Sequence, residues 1–130
     1  MKRKGRRPMS AAAKAAHKEW TLTVLGAFTC EIQQLIPHIC GGGHMDACHV
    51  LRKSFIRAET NTWDEADRLA AMFDLDNGLA GCRTGHNLFD SVGHGGVTYE
   101  DLPVAAREFA ERYGWTWKLE ADYGLREQAA

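Results

Sequence analysis

Three polar residues of this chain have the types and the order needed to hydrolyse a phosphodiester bond. His49 lies in a short stretch of mixed polarity, Asn77 begins an Asn-Gly pair, and His86 is followed four residues later by Asp90. A neutral imidazole can activate water because its pKa lies near neutrality. An imidazole and a carboxylate four residues apart share one helical face and suit a divalent cation that keeps positions open for water and phosphate. The pattern predicts metal-assisted hydrolysis.

Two short strands and a helix must position these residues. Residues 46–51 and 79–82 are predicted strands, with the Asn-Gly turn signal ahead of the second, and residues 84–91 fit a helix. This order can bring a histidine on the first strand against ligands on the helix. We therefore expect the rings of His49 and His86 to face each other across a shared cavity.

Further helices are expected before and after this unit, which makes the predicted fold class α+β. Ser10 can cap the first helix, and Gly114 lies just past the end of the last one. The segment 21–29 fits either a strand or a continuation of the first helix. The predicted flanking elements are helices over 11–20, 63–73 and 99–113 and a short strand over 115–117.

Length and composition favour one small domain. A chain of 130 residues with 45% hydrophobic residues can bury a modest core, and such domains often add a metal or a dimer contact. No apolar run is long enough to predict a membrane span, and the basic N-terminus lacks the apolar segment of a secretory signal. A cytoplasmic location is therefore expected, with the four cysteines as thiols or metal ligands.

The formal net charge of −1 conceals an uneven distribution. Residues 1–18 hold seven of the 16 Lys and Arg residues and no acidic residue, so nine basic and 17 acidic residues remain in the rest of the chain. A basic arm on an acidic body is typical of non-specific contact with nucleic acid, although a solubilising tail has the same composition. The residues predicted to contact DNA are Lys2, Arg3, Lys4, Arg6, Arg7, Arg52 and Lys53.

Taken together, several segments resemble the small HNH endonucleases carried by phages and prophages. The resemblance covers roughly residues 20–120, and the segment 51–75 follows no fixed pattern of that family. A stretch from Tyr99 to Gly114 resembles the helix that follows the motif there. The motif itself matches at Cys30-Glu31-Ile32, Cys40, Asp46-Ala47-Cys48-His49-Val50, Asp76-Asn77-Gly78-Leu79, Cys82, His86 and Asp90.

The resemblance implies a ββα-metal core and metal-dependent hydrolysis of DNA, linked to genome packaging or nicking. In that family the first histidine is the general base, the asparagine orients it and fixes the loop, and the last histidine binds the catalytic ion. These roles fall on His49, Asn77 and His86, and Asp90 takes the place of a second helix ligand. The ion would be Mg²⁺, Mn²⁺, Ni²⁺ or Zn²⁺. Residues 10–125 would form one nuclease domain between a disordered arm at 1–9 and a disordered tail at 126–130.

The cysteines depart from the family pattern. Members with a structural zinc often carry two Cys-x-x-Cys pairs, and here each pair has lost one member. A structural zinc bound by Cys30, Cys40, Cys82 and either His38 or His44 is one interpretation. Cys48 precedes the general base, where many members have another metal ligand, so it is either a small buried residue or a ligand for a softer cation.

Two alternatives to catalysis stay open at this point. One is a non-catalytic nucleic-acid-binding module with a structural zinc on the same fold. The other is an adaptor that binds phage packaging proteins. In either case DNA is the expected nucleic-acid partner, no membrane is involved, and a homodimer is compatible with the small size of the chain.

Overall fold

The computed structural model describes residues 9–26, 29–41 and 44–126. Its elements confirm the mixed α+β class. Short 3₁₀ turns lie at Glu31–Gln34, Leu75–Asn77, His94–Gly96 and Tyr99–Asp101. The helices and strands in these ranges are α1 (Ala11–Leu25), β1 (Met45–His49), α2 (Lys53–Glu59), α3 (Glu65–Met72), β2 (Gly78–Cys82), α4 (Arg83–Phe89), α5 (Val104–Tyr113) and α6 (Thr116–Tyr123).

The strands β1 and β2 pair antiparallel, with His49 opposite Gly78 and Asp46 opposite Gly81. Helix α4 begins at the residue after β2, so its first turn lies beside the start of β1. One face of the two-stranded sheet packs on α1. Gly78 makes this contact close, because a Cβ there would lie 2.6 Å from a methyl group of Val24.

Helix α1 forms where a run of alanines, the best helix formers, follows a capping serine. The side chain of Ser10 accepts a hydrogen bond from the backbone N–H of Ala13 at 3.1 Å. The helix continues to Leu25, which decides the ambiguity over residues 21–29 in favour of helix for its first part. Trp20 and Val24, four residues apart, are buried against the sheet. Trp20 also donates its indole N–H to the carbonyl of Asp74 at 3.1 Å.

The main hydrophobic core lies between the other face of the sheet, the 3₁₀ turn at Glu31–Gln34 and the C-terminal helices. Burying each large side chain there contributes about 1.5 to 3 kcal/mol. Tyr123 is anchored in this core and donates its hydroxyl to the carbonyl of Val50 at 2.6 Å. The largest fully buried apolar side chains are Phe89, Phe109, Ile32, Leu51, Ile56, Leu102 and Leu119.

The C-terminal elements differ from the prediction in two places. The predicted strand over 115–117 is wrong, because Trp115 precedes α6 and residues 116–123 are helical. The predicted helix over 99–113 is interrupted at Leu102, which is extended with ψ 149°. The cause is Pro103, since a proline disfavours the helical conformation of the residue before it. Gly114 ends α5 in the left-handed conformation, as predicted.

The middle of the chain contains one helix that the sequence did not indicate. Helix α2 lies in the segment without a recognisable pattern, whereas α3 matches the predicted helix over 63–73. The cap of α3 is Asp64, whose carboxylate accepts from the N–H of Asp67 at 2.8 Å. The predicted arm at 1–9 lies outside the described residues except for Met9, and the tail at 126–130 except for Arg126. In the described ranges, no helix has both the length and the apolar character needed to cross a membrane.

Candidate functional site

Four side chains converge beside the junction of β2 and α4. The sulfur atoms of Cys30, Cys40 and Cys82 and a ring nitrogen of His38 all lie within 4.8 Å of one another. The Nε2 atom of His38 is 3.6 Å from the sulfurs of Cys30 and Cys40 and 3.2 Å from that of Cys82. A tetrahedral ion with thiolate and imidazole ligands would hold sulfur and nitrogen about 3.6 Å apart. These four residues lie close enough to bind a metal ion.

The backbone around this Cys/His cluster supports its sulfur atoms. The N–H of Cys82 donates to the sulfur of Cys30 at 3.3 Å, and the N–H of Gly85 donates to the sulfur of Cys82 at 3.2 Å. Burial of the Cys82 thiol acts against ionisation. The N–H groups of Gly85 and Gly41 and the ring of His38 outweigh it and lower the pKa of Cys82 to about 6. A thiolate, the form that binds metals, is therefore favoured at this position.

His38 presents the correct nitrogen to the three sulfurs. Its Nδ1 atom lies 2.5 Å from the carbonyl oxygen of Ile36 and donates to it, which also raises the pKa of His38. This hydrogen bond fixes the tautomer that leaves Nε2 free for a ligand. By contrast, desolvation inside the cluster and the neighbouring thiols of Cys82 and Cys30 raise the pKa of Cys40 to about 11, although Cys40 is exposed at the surface.

Gly85 stands where the family that the sequence resembles would place the second cysteine of a pair, and it explains why the cluster can use a histidine there. A Cβ at Gly85 would lie 2.9 Å from the ring of His38 and 3.2 Å from the sulfur of Cys30. The ring of His38 therefore takes the space that a side chain at this position would fill. The other candidate, His44, is not part of the cluster, since its Nε2 atom lies 3.0 Å from a carboxylate oxygen of Asp46.

A second group, the Asp–His–Asp set, consists of Asp46, His86 and Asp90. The Nδ1 atom of His86 is 2.8 Å from Asp46, and its Nε2 atom is 2.7 Å from Asp90. The guanidinium of Arg83 lies 3.1 Å from Asp46. Burial of Asp46 opposes its ionisation, but the hydrogen bond from His86 and the charge of Arg83 lower the pKa of Asp46. Two carboxylates and one imidazole thus meet at a partly exposed surface, where the His86 side chain is 29% exposed.

This set confirms that His86 and Asp90 lie on one side of α4 and adds a residue that was not predicted. Asp46 was noted only as part of the motif. Its role depends on register, because the pairing with Gly81 at the end of β2 sets Asp46 beside the first turn of α4. Each ring nitrogen of His86 is engaged by a different carboxylate, so an ion bound to His86 would replace one of these two hydrogen bonds.

His49 lies in a more enclosed environment. Its ring stacks on Trp20 with the ring centres 4.2 Å apart, and Phe73 lies 6.3 Å away. Its Nε2 atom donates to the carbonyl of Met72 at 2.9 Å, which leaves Nδ1 as the nitrogen able to accept a proton. Burial lowers the pKa of His49 to about 4, and the charges of Lys53 and His17 act in the same direction. The imidazole is therefore neutral at pH 7.

The expected cavity shared by His49 and His86 is not found among the described residues, and no contact joins the two rings there. His49 and Asp46 are three positions apart on β1, so their side chains leave opposite faces of the strand. His49 accordingly contacts α1, whereas Asp46 contacts α4. Burial lowers the pKa of His49, and the charge of Asp90 opposes this effect only in part. Two open depressions lie on the described surface, one beside Trp63 and one beside Trp20, and neither is lined by His49 or His86.

Asn77 fixes the backbone that follows His49. Its fully buried side chain accepts from the N–H of Leu51 at 2.7 Å and donates to the carbonyl of Leu51 at 2.9 Å. Its own carbonyl accepts from the N–H of Val50 at 3.0 Å. The loop-fixing half of its predicted role therefore has a structural basis, while the orientation of the His49 ring comes from Met72 and Trp20.

The remaining predicted site residues are Cys48 and the basic residues expected to contact DNA. Cys48 is buried, its thiol lies 3.8 Å from the backbone carbonyl of Asp46, and it is not part of the Cys/His cluster, which fits a small core residue. Lys53 begins α2, and its charge acts on His49 and His17. Arg52 is exposed beside it. The predicted DNA contacts Lys2, Arg3, Lys4, Arg6 and Arg7 lie outside the described residues.

Comparison of the chain with protein-family models, with curated proteins and with solved structures gives no match in any of the three. The two side-chain groups and His49 are therefore the features that bear on its function.

Proposed function

We propose that this chain is a metal-dependent nuclease of the HNH type that hydrolyses DNA phosphodiester bonds. The observation that supports this proposal is the Asp–His–Asp set at the junction of two antiparallel strands and the helix that follows them. Carboxylate oxygens and one imidazole suit a hard divalent cation such as Mg²⁺ or Mn²⁺. The arrangement of β1, β2 and α4 is then a ββα-metal core, the finer fold that the sequence resemblance implies.

Each residue has a distinct task in this proposal. His49 is neutral, and its Nδ1 atom takes the proton of the attacking water, while the carbonyl of Met72 holds the ring by its other nitrogen. Asp46, His86 and Asp90 would hold the cation, which when bound offsets the charge that develops on the phosphate and its leaving oxygen. Arg83 adds a positive charge beside Asp46, where it can contact phosphate.

The Cys/His cluster has a different task, because its four ligands complete a tetrahedral ion and leave no position for substrate. We propose that this ion is a structural zinc. Elemental analysis of the purified protein is expected to give one zinc per chain. A chain with Cys82→Ser is expected to retain none, and equal zinc in both proteins would exclude the cluster as the site.

Plasmid cleavage tests the nuclease. Wild-type protein is expected to nick or cut plasmid DNA when Mg²⁺, Mn²⁺ or Ni²⁺ is added. His49→Ala should lower the rate at least about 100-fold, in the range that general acid–base groups contribute, and His86→Ala should lower it at least as much because it removes a ligand of the cation. Asp122→Asn, which removes a surface ion pair with Lys118, serves as the matched control. Circular dichroism must show that each variant is folded. If His49→Ala cleaves as fast as wild type, the activity belongs to a contaminant and the catalytic assignment fails.

A non-catalytic role is the second candidate, because His49 is enclosed by Trp20, Phe73 and Met72 and both nitrogens of His86 already have partners. The chain would then be a zinc-containing nucleic-acid-binding module or an adaptor for phage packaging proteins. Its signature is DNA or partner binding that survives His86→Ala, without cleavage under any divalent cation. Calorimetry with Mn²⁺ separates the candidates, since only the nuclease loses binding in His86→Ala.

A further inference from the structure

An open depression of about 460 Å³ lies away from the two metal-ligand groups, between the start of α3 and the end of α5. Its lining residues are Trp63, Asp64, Asp67, Ala70 and Tyr113. The rings of Trp63 and Tyr113 lie 6.0 Å apart at 34°, and Trp63 is 38% exposed. We call this depression the aromatic–acidic groove.

The groove has the chemistry of a site for a cationic side chain. The faces of Trp and Tyr rings attract ammonium and guanidinium groups, and carboxylates beside them add ion pairs. Among the described residues, Asp64, Asp67 and the adjacent Glu65 form no ion pair with a Lys or Arg. Asp74 and Asp76 differ, because Arg112 already pairs with both. The carboxylates of the groove therefore have no ion-pair partner among the described residues.

The described part of the chain begins next to this groove. The hydroxyl of Ser10 donates to the carboxylate of Glu65 at 2.5 Å. Trp63 is two residues before Glu65, so their Cα atoms lie at most about 7.6 Å apart. The segment that precedes Met9 carries five of the chain's basic residues and no acid, and seven residues of chain can span at most about 25 Å. Its length therefore exceeds what is needed to reach the groove.

We propose that the basic segment at residues 2–7 docks in the aromatic–acidic groove of its own chain. One cationic side chain lies over the rings of Trp63 and Tyr113, and others pair with Asp64 and Asp67. Because a short tether gives an effective concentration on the order of millimolar, weak individual contacts suffice. In the docked state these cations do not contact phosphate, so nucleic acid must compete with the acidic groove to bind them. The proposal does not depend on whether the chain cleaves DNA.

The indole N–H resonance of Trp63 in the full-length protein tests this docking. The comparison is wild type against a full-length variant in which Lys2, Arg3, Lys4, Arg6 and Arg7 are all changed to Gln, with Trp63→Phe used to assign the resonance. We expect the resonance to differ between the two proteins. Raising NaCl from about 0.1 M to about 1 M, which shortens the Debye length from about 10 Å to about 3 Å, should move the wild-type resonance to the position in the neutralised variant.

Three controls make the result decisive. Trp117, which is 58% exposed and does not line the groove, should give the same resonance in both proteins. Asp67→Asn should reduce the wild-type shift, whereas Glu108→Gln, an exposed acidic residue outside the groove, should not. An identical Trp63 resonance in wild type and the neutralised variant overturns the proposal. A shift that grows with protein concentration also overturns it, because the occupant is then the basic segment of a second copy.

Discussion

The two metal-ligand groups meet at the junction of β2 and α4 but differ in how their atoms are arranged. In the Cys/His cluster, four side chains from three segments of the chain lie around one position, and the second nitrogen of His38 is held by a backbone carbonyl. In the Asp–His–Asp set, two carboxylates hold the two nitrogens of a single imidazole, and the Asp90 side chain is 56% exposed. A closed set can only hold an ion, whereas an open set leaves positions for water and substrate. In the proposed function, the first group therefore stabilises the fold and the second exchanges water and substrate at its ion.

The largest effect should come from breaking the closed set. Cys82→Ser keeps an atom that can accept from the N–H of Gly85 but removes a metal ligand. Because the binding free energy of a structural metal is folding free energy, the loss should approach the whole stability of a small domain, about 5 kcal/mol or more. Chemical denaturation in the presence of zinc measures it. Cys48→Ala, which alters a buried cysteine outside the cluster, should cost only about 1 kcal/mol. Equal losses of unfolding free energy in Cys82→Ser and Cys48→Ala would mean that Cys82 does not stabilise the fold through a bound metal.

A smaller effect should come from the protonation of His49, an imidazole like His86 of the second group but packed against Trp20. Its pKa is about 4 in the folded protein and 6.5 without burial. The unfolded chain therefore binds the proton more readily, so the stabilisation is complete above pH 6.5 and is lost as the pH falls toward 4. The unfolding free energy of wild type relative to His49→Gln should fall by about 3 kcal/mol between pH 7 and pH 4.

Measuring the two proteins side by side cancels the titration of the other groups, including the metal ligands, which both proteins share. Parallel pH profiles for wild type and His49→Gln would mean that His49 is open to solvent. It would then belong with the exposed set.

The smallest effect on stability should come from the open set itself. Asp46→Asn removes a carboxylate that is only 15% exposed itself but pairs with the more exposed side chains of His44, Arg83 and His86, so the unfolding free energy should fall by about 1 kcal/mol. The affinity of this variant for Mn²⁺ should nevertheless fall about 10- to 100-fold or more, because losing even a carboxylate that only supports a metal ligand has an effect of that size. Calorimetry with Mn²⁺ measures this, with Asp122→Asn as the control. Unchanged Mn²⁺ affinity would exclude Asp46 as a ligand.

Local signals in the sequence predicted most of the elements that surround the site. The capping serine and alanine run predicted α1, and the apolar spacing after Asp64 predicted α3. The predicted terminal strand was wrong because two tryptophans separated by one residue form too short a pattern to exclude a helix. The longer pattern of Trp115, Leu119 and Tyr123, all buried at four-residue spacing, is the helical one.

The site was predictable only as far as it depends on local spacing. His86 and Asp90 share a side of α4 because they are four residues apart. The choice of His38 over His44 depends on the path of the loop and on the missing Cβ of Gly85, which no spacing rule contains. Asp46 depends on strand register, and the burial of His49 depends on the packing of α1 across the sheet. These long-range features decide which candidate residues meet.

The sulfur of Cys82 has a consequence for regulation by metal supply. The same atom accepts the hydrogen bond from the N–H of Gly85 in the first turn of α4 and belongs to the Cys/His cluster. The residue after Gly85 is His86, a member of the Asp–His–Asp set. Under the two metal proposals, an ion at the Cys/His cluster would hold the turn that leads to His86 more firmly, and an ion at the Asp–His–Asp set would stabilise the cluster in return, because coupling between sites is reciprocal. Scarcity of the softer ion in the cell would then weaken capture of the harder one without altering any of its own ligands.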